Sequence, residues 1–149
     1  MKVQIFAKET AIVWSSWREL EKLEQEVYDG PAVYRIRICD SGKIVSIQRF
    51  LDSDDRGLLC IGKATHLKKR LGQFKRRRNH SEAELLSILE EHTSLSARYP
   101  NGEHEYSYIE VKNPGEENKL EEKYIKAYVK RFGETPPLNS AIPYRDCSW

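Results

Sequence analysis

The stretch "LLCIGKATHLKKRLGQFKRRR", residues 58–78, sets the reading of the whole chain. An apolar run of strand length breaks at Gly62 and passes directly into a segment whose Leu67, Leu71 and Phe74 recur at helical spacing. The other faces of that helix carry seven cations: Lys68, Lys69, Arg70, Lys75, Arg76, Arg77 and Arg78. A strand, a glycine turn and an amphipathic basic helix are the start of a layered fold, with a surface suited to a polyanion.

Working toward the N-terminus, "AVYRIRI" alternates, with Ala32, Tyr34, Ile36 and Ile38 on one face and Arg35 and Arg37 on the other. That is the pattern of a half-buried strand. Asp40-Ser41-Gly42 is turn chemistry, and "KIVSIQRFL" is expected to return as its partner strand, ahead of a polar loop at "DSDDRG". Ser16 and Glu19 stand at capping-box spacing before Trp17, Leu20, Leu23 and Val27, which predicts a leading helix that stops before Gly30-Pro31. Residues 2–6 read as a short strand.

Toward the C-terminus, Ser81 and Glu84 form a second capping-box pattern before "LLSILEEH", and "YSYIEVK" is a third core strand. A last helix is expected over residues 116–132, closed by Gly133, and "ETPPLNSAIP" is expected to be extended. The expected fold is α/β in the broad sense (α+β). It has a small mixed or antiparallel central sheet of about three core strands, flanked by helices, with an extra N-terminal helix. A single domain is expected over residues 1–149, made of a 30–140 core and a 1–29 N-terminal extension.

The chain has 149 residues, of which 39% are hydrophobic and 32% charged, with a net charge of +2. That balance describes a polar globular domain, not a disordered chain. Neither a membrane-spanning run nor a secretory signal is visible. Cys39, Cys60 and Cys147 are odd in number and lack CxxC spacing, so reduced thiols and a cytoplasmic location are expected.

In the last helix, Leu120, Tyr124, Ile125, Ala127, Tyr128 and Phe132 share one arc, with Glu121 near its middle and Glu122 on the wet side. A carboxylate on an apolar face costs several kcal/mol unless something compensates. It reaches water, meets a local arginine, or holds a divalent metal in a cleft. Arg70 stands at the edge of its helix's apolar stripe, where it serves an ion pair or a phosphate.

Taken together, "PAVYRI", "CIGKATHLKKRL", "LEEKYIKAY" and "PPLN" resemble the GIY-YIG nuclease superfamily over residues 30–140. The nearest likeness is to the N-terminal incision domain of the bacterial nucleotide excision repair nuclease. The resemblance implies that Ala32-Val33-Tyr34 and Cys60-Ile61-Gly62 are the two triplets. It implies catalytic roles for Tyr34, Lys63, Arg70, Glu121 and Asn139, with Glu121 holding one divalent cation, Mg2+ or Mn2+. DNA is the implied partner. Lys68, Lys69, Lys75, Arg76, Arg77 and Arg78 would contact flanking phosphates without reading sequence.

In this scheme Tyr34 takes a proton from water with its pKa lowered by cations, Arg70 and Lys63 neutralise the phosphate, and Asn139 orients the site. Specificity is expected from a homodimer or a partner protein. Two positions depart from the pattern: Ala32 stands for glycine and Cys60 for the second tyrosine. Either Tyr34 alone activates the water, or the chain is a weakened or inactive nucleic-acid-binding module. A third reading is a protein-interaction domain using the acidic segments 16–28 and 82–92.

Overall fold

The computed structural model describes residues 13–91 and 103–139. Its longest strand, β2 (Ala32–Asp40), is the centre of an antiparallel sheet. From Ala32 to Cys39 β2 pairs with β7 (Glu103–Glu110), and on its other edge with β6 (Leu58–Ala64) and then β3 (Lys43–Ile44). The two-residue strand β1 (Arg18–Glu19) adds to the outside of β7. A separate ribbon joins β4 (Ile47–Gln48) to β5 (Ser53–Asp54).

Three helices are described: α1 (Leu67–Arg76), α2 (Ser81–Glu91) and α3 (Glu116–Phe132). The alternation read in β2 sorts its side chains as expected. Tyr34, Ile36 and Ile38 join Leu71 and Phe74 of α1 and Leu86 of α2 in one core. Val33 joins Ile61 of β6 and Ile125, Tyr128 and Phe132 of α3 in the other. The sheet therefore lies between α1 and α2 on one face and α3 on the other. This is the mixed α+β architecture expected, with antiparallel pairing throughout.

In the β2–β6 register Tyr34 stands opposite Gly62 and Ile36 opposite Cys60. A bulge at Leu59 follows, because Arg37 pairs with Leu58. Gly62 is required by a neighbour's bulk: a Cβ there would stand 2.4 Å from Cζ and Oη of Tyr34.

Several expectations are corrected. The leading helix is absent. Residues 18–19 form β1 and Leu20–Lys22 a 3-10 turn. The free edge of β7 captures the segment instead: Ser15 N–H donates to Tyr108 O at 2.8 Å, and Tyr108 N–H donates to Ser15 Oγ at 2.9 Å. Leu20 and Val27 are still buried.

The "KIVSIQRFL" segment meets β2 only at its start, where Lys43–Ile44 pair with it and Val45 N–H donates to Ile38 O at 3.1 Å. The "polar loop" carries Asp54, which is fully buried and accepts from Tyr128 Oη at 2.9 Å and Leu58 N–H at 3.3 Å. Ala127 is exposed, and the Pro136–Asn139 segment folds into a turn closed by Asn139 N–H on Pro136 O. Helix α2 starts at Ser81, with Glu84 N–H on His80 O, so His80 takes the cap position given to Ser81. The expected strand at 2–6 and Cys147 lie outside the described residues. Cys39 and Cys60 are free thiols.

Candidate active site

The outer edge of β6 is where the predicted site residues meet. Opposite β2, the backbone groups of Leu59, Ile61 and Lys63 face away from the sheet, and an edge strand left bare would expose them. Leu138 N–H donates to Leu59 O at 2.8 Å. Asn139 covers Ile61 with its side chain, donating from Nδ2 to Ile61 O at 2.7 Å and accepting Ile61 N–H on Oδ1 at 3.0 Å. Arg70 Nη1 donates to Lys63 O at 3.1 Å, and its Nε donates to Gln73 Oε1 at 3.1 Å. The Glu121 carboxylate lies 4.0 Å from Lys63 Nζ, and the Lys63 amide favours its ionised form.

The strand thus acts as a ruler. Asn139 is fixed at one outward position, with Arg70 and Glu121 at the next, about 6.6 Å along.

Glu121 has a side chain only 15% exposed. Burial raises its pKa, opposed by the charges of Lys63 and then Arg70. Lys63 is also tied by its ammonium to Asn118. Glu121 is therefore a desolvated carboxylate beside two cations. It lies on the same stripe of the helix as Ile125, Tyr128 and Phe132, one turn before Ile125, and is partly buried there. Glu122 pairs with Lys126 on the outside, as its position on the wet side implied.

Tyr34 departs from its expected chemistry. It is fully buried against Phe74, and its hydroxyl has no hydrogen-bond partner. Burial, then the neighbouring Cys60 and Glu82, pushes its pKa well above the ordinary phenol value, and the Arg70 charge offsets this only in part. The expected lowering by cations is reversed because desolvation outweighs them. Cys60 is also fully buried, and it is not purely apolar: Sγ donates to Glu82 Oε2 at 3.1 Å. Burial and then Glu82 keep that thiol protonated.

Two residues at this site escaped the sequence reading. Glu82 looked like one more acid in the first turn of α2, yet it reaches Cys60 and influences Tyr34. His80 packs 5.6 Å from Phe74 and has a buried Nδ1 without a partner. Burial and the Arg70 charge lower its pKa to about 4, so the ring is neutral near pH 7.

The basic helix divides in two. Lys69, Lys75, Arg76 and Arg78 are exposed. Lys68 is tied to Gln25 O at 2.7 Å. Arg77 is not a phosphate contact in this arrangement. It is the left-handed C-cap of α1, at φ 57°, with its guanidinium held by Glu90 at 2.5 Å and Glu21 at 3.3 Å.

Comparison with protein-family models, curated proteins and solved structures gives no significant match.

Among the described residues no group of three or more His, Cys, Asp or Glu side chains gathers as a metal cage. Glu121 suits a hard divalent ion all the same, because magnesium commonly uses one or two carboxylates and takes its other ligands from water and substrate phosphate. No helix among the described residues is long and apolar enough to cross a membrane.

Proposed function

We propose that this chain is a metal-dependent endonuclease that hydrolyses DNA phosphodiester bonds. The observation that carries the reading is the meeting of Arg70, Lys63 and Glu121 at a single outward position of β6, beside Asn139. Two cations next to a desolvated carboxylate are the groups that a phosphate and a divalent cation would need together. The exposed Lys69, Lys75 and Arg76 of the same helix, with Arg78 just beyond its end, extend the positive surface.

In this scheme Arg70 and Lys63 neutralise the phosphate oxygens as charge builds. Asn139 keeps the Cys60-Ile61-Gly62 backbone in place. Glu121 would hold one Mg2+ or Mn2+, which when bound stabilises the leaving oxygen. Tyr34 keeps its proton at neutral pH, so its share is to orient the attacking oxygen by a hydrogen bond, and this requires an opening over its sealed hydroxyl.

The test is nicking of supercoiled plasmid in magnesium or manganese, comparing the wild type with Glu121→Ala and Arg70→Ala. Cleavage by the wild type alone is expected. Equal cutting by all three would remove the proposal.

A second reading, a DNA-binding module with weakened chemistry, is favoured by the sealed Tyr34 and by the thiol at position 60. It predicts salt-sensitive binding without metal-dependent cleavage, and a gain of cutting in Cys60→Tyr.

A further inference from the structure

On the α3 face of the sheet a second site stands apart from the cluster on the β6 edge. It is a cavity of about 450 Å³, with walls that include Trp14, Arg35, Arg56, Tyr124, Tyr128 and Arg131. Trp14 and Tyr124 pack with centroids 4.9 Å apart. The Arg35 guanidinium lies over Trp14 at 4.3 Å and over Trp17 at 4.5 Å.

The charge pattern here is unusual. Arg56 has Asp54 at 3.5 Å, Arg131 has Asp52 at 3.5 Å, and neighbouring Arg37 has Glu105 at 2.8 Å. Arg35 has no carboxylate partner among the described residues, and its buried Nε makes no hydrogen bond. Burial and the like charges of Arg56 and Arg37 lower its pKa to about 10.

The acids that line the cavity are already engaged. Asp54 is held by Tyr128 and the β6 backbone, and Asp55 accepts from Ser46 Oγ at 2.8 Å. Two indoles thus cover the π surface of Arg35 while its buried Nε–H remains unmet. An arginine fork in this state is matched by a phosphate, which accepts two parallel hydrogen bonds. The aromatic wall beside it offers a stacking surface for a base. The volume falls within the range of small-ligand sites, roughly 300–1,000 Å³.

We infer that this cavity is a nucleotide-binding site, in which Arg35 takes the phosphate and Trp14 with Tyr124 takes the base. The inference does not depend on the chain cutting DNA.

The test is a titration of the full chain with deoxyadenosine monophosphate in EDTA, followed by calorimetry and by the backbone amide and indole N–H signals in NMR spectra. Saturable binding is expected, with shifts at the Trp14 and Trp17 indoles. Arg35→Gln should weaken it at least tenfold. Arg35→Lys, which keeps the charge and loses the fork, should fall between. Glu121→Gln should bind like the wild type, so a failed nuclease assay and a failed nucleotide site remain distinguishable. The inference is overturned by any of four results: no saturable binding, shifts confined to the β6 edge, wild-type affinity in a folded Arg35→Gln variant, or equal affinity for inorganic phosphate. Should Arg35→Gln fail to fold, the wild-type indole shifts decide the matter alone.

Discussion

Asn139 completes on Ile61 both hydrogen bonds that a neighbouring strand would have made, one at 2.7 Å and one at 3.0 Å. A side-chain amide has one donor and one acceptor at the separation this requires, and no other side chain of its length has both. Asn139→Ala leaves a partly buried N–H and C=O unmet and is expected to cost about 1–3 kcal/mol. Asn139→Asp keeps an acceptor but sets a second oxygen against Ile61 O, so it should cost at least as much. Urea denaturation of the three proteins checks this. Equal midpoints would mean that the amide merely rests on the strand.

Gly62 and Tyr34 are coupled by bulk. The Cβ of Gly62→Ala would approach Cζ and Oη of Tyr34 to 2.4 Å, and a ring sealed beneath Phe74 has little room to give. Overpacking of this kind is expected to cost about 1–3 kcal/mol. Tyr34→Leu removes the atoms struck, so the double variant should be more stable than the sum of the single changes implies. A double-mutant cycle by thermal denaturation measures the coupling. Strict additivity would show that the backbone absorbs the methyl elsewhere. Tyr34→Phe alone deletes a buried hydroxyl that makes no well-formed hydrogen bond and has only the nearby Arg70 guanidinium to lose, so stability should change little. A loss of cleavage in that variant would then report chemistry and not folding.

The parts of this fold legible in the sequence were those with local signals. The alternation of β2 sorted its two faces correctly, and α3 runs from Glu116 to Phe132 and ends at Gly133 with φ 80°, because glycine takes that conformation freely. Leu67, Leu71 and Phe74 were a helical stripe and are fully buried. The parts that were not legible depend on distant partners. Residues 16–28 carried a helical spacing, but the unpaired edge of β7 offered hydrogen bonds that no periodicity reveals. Asp54 looked like loop polarity until Tyr128, from 74 residues away, made it a buried acceptor.

The candidate site shows the same split. Lys63, Arg70, Glu121 and Asn139 stand at the positions that the resemblance picks out, and they converge on β6. The burial that overrides the cations around Tyr34, and the contact of Cys60 with Glu82, exist only once the helices are packed.

Glu121 gives a pH-dependent expectation. Its native pKa is raised above the ordinary 4.5, chiefly by burial, so the native state holds this proton more tightly than the unfolded chain does. The resulting stability is fully present below the unfolded value and is lost as pH rises through the native one. At neutral pH the bare carboxylate is therefore a liability, and Glu121→Gln should melt higher than the wild type. The difference should close as the pH falls below about 4.5. Millimolar magnesium should raise the melting temperature of the wild type and leave that of the glutamine variant unmoved. Calorimetric scans from pH 4 to 8, with and without the ion, would detect the opposite ordering if Glu121 served only as an ion-pair partner for Lys63.

The basic helix separates binding from structure. Lys75, Arg76 and Arg78 are exposed, whereas Arg77 closes α1 and is clasped by Glu90 and Glu21. Each phosphate contact released by salt contributes about 0.9 to the slope of log affinity against log salt. Changing Lys75, Arg76 and Arg78 together to glutamine should therefore lower that slope by roughly 2–3, since each cation counts for about one contact, and should leave stability nearly unchanged. Arg77→Gln should do the reverse: the slope stays, and stability falls by about 1–3 kcal/mol because two carboxylates and the α1 C-terminus lose their shared donor. Anisotropy of a labelled duplex across a salt series, run beside urea denaturation, reads both quantities. If Arg77→Gln lowers the slope as much as a single exposed change does, its pairing with Glu90 gives way on DNA and the residue belongs to the binding surface after all.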